Sequence, residues 1–247
     1  MAAGIASRKT LRGPRQQRVL EAIGVQVWVP RAGSAPVPDP APVRVPDVAP
    51  MHMQSAPIPE SGLTAWTELR AEVAACTRCA LHKTRTQTVF GTGSPQARWL
   101  VIGEAPGADE DRQGEPFVGR AGQLLTEMLR AVGVSREQVF IANVLKCRPP
   151  ENRDPTPEEA KSCESYLQRQ IALIQPSLIL VVGRIAAQNL LQVDTPIGKL
   201  RGEVHAWGPT RIPVVVTYHP AYLLRSPGQK ARAWDDLCLA RDRVAPI

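Results

Sequence analysis

Four short segments of this 247-residue chain are apolar at almost every position: residues 98–103, 139–145, 177–183 and 212–217. A strand with one face in water alternates apolar and polar residues, so continuous runs of this length predict strands covered on both faces. Between them the apolar positions recur at helical spacing, over residues 64–75 (Trp66, Leu69, Val73), 120–132, 156–175 and 184–191. A last helix is predicted over 229–243. Thr156-Pro-Glu-Glu159 reads as a capping box with proline at the first helical position. Strands alternating with helices predict an α/β fold, a three-layer α/β/α sandwich around a central four-stranded parallel sheet. Such sheets bind ligands beyond the carboxyl ends of their strands, which places Glu104, the segment from Asn143 to Cys147, and His219 on one edge.

Residues 1–62 lack this patterning. Eight prolines fall between Pro36 and Pro59, interleaved with Ala and Val. Such a segment has little to bury and favours extended polyproline II. Residues 1–62 are therefore expected to form a basic, Pro/Ala-rich disordered tail, with the folded domain at 63–247. A short amphipathic helix or strand around Val19, Leu20, Ile23, Val25 and Trp28 is the competing expectation. The tail's composition suits a tether to a partner.

Composition narrows the setting. No apolar run is long enough for a transmembrane helix, and the first residues carry Arg and Lys without the apolar region of a secretory signal. A cytoplasmic protein is expected, with no membrane partner. The net charge of +7 suits a polyanionic partner. In a reducing compartment, five cysteines point to metal binding rather than to disulfides. Cys76 and Cys79 form a C-x-x-C pair, Cys147 lies in Lys146-Cys-Arg-Pro-Pro150, and Cys163 follows sixteen residues after Cys147. Thiolates suit zinc or an iron–sulfur cluster, and the uneven spacing favours a [4Fe-4S] cluster over zinc. Cys238, between Leu237 and Leu239, reads as a core cysteine.

Four motifs then carry a family resemblance. Gly103-Glu-Ala-Pro-Gly107, Glu115-Pro-Phe-Val-Gly-Arg-Ala-Gly-Gln-Leu-Leu125, Ala142-Asn-Val-Leu-Lys-Cys-Arg-Pro-Pro150 and His219-Pro-Ala-Tyr-Leu-Leu-Arg225 resemble those of the family 4 (iron–sulfur) uracil-DNA glycosylases. The similarity runs from about residue 64 to 245 and includes all four cysteines in order. It implies a monofunctional hydrolase, a monomer acting on uracil in single- or double-stranded DNA, that starts base-excision repair and leaves an abasic site. It also implies a [4Fe-4S] cluster on Cys76, Cys79, Cys147 and Cys163, and makes a replication or repair protein the expected partner of the tail. The base must leave the stack and enter a fitted pocket. Phe117 would stack on the base, and Asn143 would pair with its N3–H and O4 edge, which cytosine presents with reversed polarity. His219 would donate to O2 as charge builds there. The turn through Ala105 and Gly107 would offer backbone N–H groups, in the manner of an oxyanion hole. Ala105 stands where family 1 enzymes carry an aspartate. Glu104 is then expected to organise the pocket, and Glu110 or Asn143 to hold the attacking water. Tyr222, Leu223 and Leu224 would form an exposed loop that fills the gap left by the flipped base. Arg225 would meet phosphate, joined by Lys146, Arg148, Arg153, Lys199 and Arg201. The competing expectations are a glycosylase for other deaminated bases, such as hypoxanthine or xanthine, and a non-catalytic iron–sulfur DNA-binding module.

Overall fold

A computed structural model describes residues 60–244. The proline-rich segment and the apolar stretch around Trp28 lie outside these residues. The elements are α1 (Glu60–Ala74), β1 (Thr92–Gly93), β2 (Trp99–Gly103), α2 (Ala108–Gln113), α3 (Arg120–Ala131), β3 (Val139–Asn143) and α4 (Pro157–Ile174). They continue with β4 (Leu178–Val182), α5 (Arg184–Leu191), α6 (Ile197–Leu200), β5 (Val204–Trp207), β6 (Ile212–Thr217), α7 (Pro220–Arg225) and α8 (Lys230–Arg241). α1 begins before the boundary expected at residue 63.

The four apolar runs form strands β2, β3, β4 and β6, all parallel. The sheet they belong to has six strands, in the order β1-β3-β2-β4-β6-β5. The expected four-stranded parallel sheet is thus the centre of a mixed sheet whose two edges are antiparallel. Neither edge strand announces itself in the sequence: β1 is two residues long, and β5 alternates exposed with half-buried positions, as an uncovered edge does.

Strand geometry sorts the core into two layers. Leu100 and Ile102 of β2 join a cluster with Leu69 and Val73 of α1, Tyr166 of α4 and Ala187 of α5. Trp99 and Val101, pointing the other way, join Leu125 and Leu129 of α3, Leu223 of α7 and Leu237 of α8. Every position of β2, β3 and β4 is buried, which explains the unbroken apolar runs. The cap of α4 forms as the sequence implies: Thr156 Oγ1 accepts from Glu159 N at 3.3 Å, and Glu159 Oε2 accepts from Thr156 N at 2.9 Å.

β2 leads to α3 on one face of the sheet, whereas β4 leads to α5 on the other. Neighbouring strands whose connections part in this way leave a crevice beyond their carboxyl ends. A cleft of about 460 Å³ lies there, lined by Glu104, Asp154, Gly183, Arg184, His219 and Tyr222 among others. Among the described residues no helix is long and apolar enough to cross a membrane.

Candidate active site and cysteine cluster

Gly103 and Asn143 are the last residues of β2 and β3 and stand opposite each other in register. A Cβ on Gly103 would lie 2.5 Å from Asn143 Oδ1 and 2.6 Å from Phe117 Cζ. Only glycine lets the amide and the ring come this close. Asn143 is 2% exposed, and its Oδ1 has no hydrogen-bond partner. A buried amide oxygen without a partner carries a desolvation cost of about 1–3 kcal/mol. It marks a place where a donor from outside the chain would be welcome. Phe117 is buried and holds a left-handed φ of 55°, a conformation that costs an L-residue about 1–2 kcal/mol. The segment after it is pinned by Glu110, whose Oε1 accepts from Val118 N at 2.9 Å and from Gly119 N at 3.1 Å.

His219 caps α7, and its ring faces Phe117 at 5.6 Å between centroids, tilted by 32°. Its Nδ1 accepts from Ala221 N at 3.1 Å, so in the neutral ring the proton sits on Nε2. Burial, aided by the charge of Arg225, pulls its pKa from 6.5 down to about 4, against the pull of Glu110. At neutral pH the imidazole is therefore an uncharged donor. Glu104 shares the cleft with His219. Burial, then the charge of Asp154, push its pKa up to about 7, with Arg184 opposing. The structure thus brings Glu104, Phe117, Asn143 and His219 together.

Glu110 stands apart from that group in its bonding. Besides Val118 and Gly119 it accepts from Gly107 N at 3.1 Å through Oε2. Three backbone N–H groups therefore bond to the carboxylate, which makes Glu110 a clamp of the pocket wall. The N–H of Gly107, expected to face the base, is taken by the same contact. The acidic run containing Glu110 forms the first turn of α2. Ala105 is half-buried and packs against the core cluster that holds Leu100 and Ile102.

The segment expected to be an exposed loop is the helix α7. Its spacing splits the expected wedge: Tyr222 and Leu224 are 37% and 38% exposed, while Leu223 is buried at 1%. Arg225, in the last turn, is exposed. Four of the expected phosphate contacts are engaged within the chain, Arg148 by donating from Nε to Asn152 Oδ1 at 2.7 Å. Arg153 grips Glu159 with two bonds of 2.7 and 2.8 Å, and Arg201 holds the buried Asp236 at 2.9 and 3.0 Å. Lys146 is 1% exposed, held by Asn143 O and Gln170 Oε1, and cannot reach a phosphate from there. Sequence reading missed this buried lysine, as it did Asp154 and Arg184 at the cleft. A lysine beside a cysteine and two prolines gives no sign of burial.

Cys76, Cys79, Cys147 and Cys163 are unbridged and line one small cleft with Arg78, His82, Arg85, Lys146 and Tyr166. Arg85 Nη1 donates to Cys147 Sγ at 3.0 Å. Burial pushes the Cys147 thiol up to about 11 and raises that of Cys163 as well. Among the described residues, no three His, Cys, Asp or Glu side chains are placed to share one metal ion. A four-iron cluster gives each thiolate its own iron, so its ligands need only surround a common space. Four thiols around one cleft, with Arg85 and Lys146 supplying positive charge, fit that donor set. Cys238 is half-buried and lies outside this group.

Comparison with known proteins fits the geometry. The model of the uracil DNA glycosylase superfamily matches residues 90–238. A type-4 uracil-DNA glycosylase of Archaeoglobus fulgidus is 52% identical over 163 residues, covering 63% of this chain and 81% of the relative. Those of Sulfurisphaera tokodaii and Thermotoga maritima are 41% and 46% identical, over 71% and 64% of this chain and 83% and 82% of their own. On these matches and the arrangement at the crevice, the chain belongs to the uracil-DNA glycosylase superfamily, among its type-4 members.

Proposed function

We propose that the protein removes uracil from DNA by hydrolysing the N-glycosidic bond, leaving an abasic site without cutting the strand. The observation that carries this reading is the unpartnered Oδ1 of Asn143, buried against Phe117 at the strand ends. A flipped uracil lies against the Phe117 ring. Asn143 Oδ1 accepts its N3–H, and the amide nitrogen donates to O4. Cytosine presents an acceptor and a donor at those positions, and both contacts then become clashes of like polarity. His219 Nε2–H donates to O2 as the C1′–N1 bonding pair moves into the ring. A neutral donor suffices, because the developing charge lies on the leaving base. Glu104 holds a water in the cleft for C1′; the water's oxygen bonds to the sugar, and its surplus proton passes to the carboxylate. Glu110 keeps the wall of the pocket in place.

Tyr222 and Leu224 on α7, next to His219, enter the duplex where the base has left, and Arg225 takes a phosphate. Cys76, Cys79, Cys147 and Cys163 would hold a [4Fe-4S] cluster, which when bound ties the end of α1, the exit of β3 and α4 into one unit.

A short oligonucleotide bearing one uracil, incubated with excess protein and then treated with alkali, tests the proposal. Strand scission that appears only after alkali, together with free uracil, supports it. Iron-replete protein that releases no base overturns it.

A further inference from the structure

Lys146 is the least expected side chain in the interior. It is 1% exposed, and among the described residues no carboxylate lies within ion-pair reach. A buried ammonium is costly unless its protons are well placed. Here Nζ donates to the backbone carbonyl of Asn143 at 2.7 Å and to Gln170 Oε1 at 2.7 Å. Gln170, 0% exposed on α4, completes the run by donating from Nε2 to Phe90 O at 2.9 Å. On the other side of the same peptide, Val144 N donates to Gly103 O at 2.9 Å. The peptide after Asn143 is therefore gripped from both sides, by the end of β2 and by the lysine.

We propose that Lys146 and Gln170 are positioning residues for base recognition, fixing the backbone from which the Asn143 amide projects into the pocket. The inference rests on Asn143 being the reader of uracil. β3 stops at Asn143; beyond it Val144 N and Leu145 N still bond to Gly103 O and Glu104 O at 2.9 and 3.0 Å, and the carbonyl of Asn143 is held by the lysine. A side-chain amide that must distinguish two bases by polarity needs a fixed direction, and small displacements of a catalytic group are costly. The brace supplies that direction from Gln170 on the buried face of α4. A lysine serves because a charged donor to a carbonyl is stronger than a neutral one.

The test uses Gln170, which does not line the cysteine cleft, so that iron content and recognition can be read apart. Gln170→Met has similar length but removes the acceptor for Lys146 together with the donor to Phe90 O; Gln170→Glu loses that donor too but keeps the acceptor, so the two differ in the bond to Lys146. Single-turnover release is measured from oligonucleotides carrying uracil or cytosine, with iron per chain recorded for each protein. Loss of one such hydrogen bond predicts uracil release slower by about 3- to 10-fold in Gln170→Met, in the saturated rate rather than in the half-saturating concentration. Its uracil-to-cytosine ratio should fall, while Gln170→Glu, which keeps the acceptor for Lys146, should lose less than Gln170→Met on both readouts. A second pair removes ambiguity over folding. Lys146→Met combined with Gln170→Met replaces both members with apolar groups and should regain much of the stability lost in Lys146→Met alone. If uracil release returns with stability in the double variant, or if Gln170→Met matches wild type in rate and ratio, the positioning role is overturned. Wild-type protein that releases no uracil would instead refute the reading of Asn143 on which the proposal stands, and the proposal with it.

Discussion

Replacing His219 with glutamine should remove a specific pH dependence of stability. In the folded protein the imidazole titrates at about 4, against 6.5 for an ordinary histidine. Burial is the main cause, and Arg225 adds to it. Between these values the unfolded chain binds a proton that the folded chain refuses, so stability rises with pH across this window. It is complete above the unfolded value and falls as the pH drops toward about 4. At about 1.36 kcal/mol per pKa unit, the full span is about 3 kcal/mol, of which about 2 kcal/mol is lost by about pH 5. Glutamine at this position keeps a polar side chain of similar reach and cannot titrate. The assay is urea unfolding of both proteins at closely spaced pH values from about 4.5 to 8, with stabilities taken by linear extrapolation. Carboxylates titrating elsewhere contribute equally to both, so the difference curve isolates the histidine. It should be flat above about pH 7 and slope toward a smaller wild-type advantage below. A difference curve without slope, or an imidazole resonance titrating near the ordinary value, would refute the account of His219 as a desolvated neutral donor.

Three further outcomes follow from the same geometry. Glu104, raised to about 7, binds a proton in the fold that the unfolded chain has released, so its contribution to stability falls as pH rises from 4.5 through about 7; Glu104→Gln should therefore gain on wild type across that window in the same unfolding series, with no further gain above it, and lose uracil release at every pH. Gly103→Ala sets a Cβ 2.5 Å from Asn143 Oδ1, and displacing the amide or the ring should cost about 1–3 kcal/mol in stability and more than about tenfold in single-turnover rate. Leu224→Ala should slow uracil release from duplex more than from single strands, because only the duplex has a gap to fill; equal losses on both substrates, measured side by side, would count against α7 as the wedge.

Much of the fold was legible because burial on both faces leaves a simple trace. Residues 98–103, 139–145, 177–183 and 212–217 are apolar through the sheet centre, and their polar members, Arg98, Asn143, Ser177 and Thr217, fall at or beside the strand ends. The edges left no such trace: Thr92 and Gly93 are too few, and the segment from Val204 to Trp207 alternates like many surface stretches. Helix α2 was hidden because Ala-Asp-Glu-Asp-Arg-Gln has no apolar face; what makes it a helix is the contact of Glu110 with Gly107 N, three residues back. α7 was read as a loop because its motif ends a strand, although Pro220 at its first position permits a helix to start there. At the site, Asn143, His219, Phe117 and Glu104 could be named from the motifs that carry them. The duty of Glu110 could not be, since it depends on backbone N–H groups eight and nine residues away. Nor could Lys146 and Gln170, twenty-four residues apart, whose pairing exists only once α4 lies against the exit of β3.

The most direct test of the central claim is the ratio of uracil to cytosine release from otherwise identical oligonucleotides, for wild type and Asn143→Asp. Aspartate removes the donor that faces uracil O4 and, when protonated, offers cytosine the polarity it needs. The account predicts a large preference for uracil in the wild type. In the variant, uracil release should fall by about 100-fold or more and the preference should collapse. A variant that keeps both the wild-type rate on uracil and the wild-type ratio would show that Asn143 does not read the base.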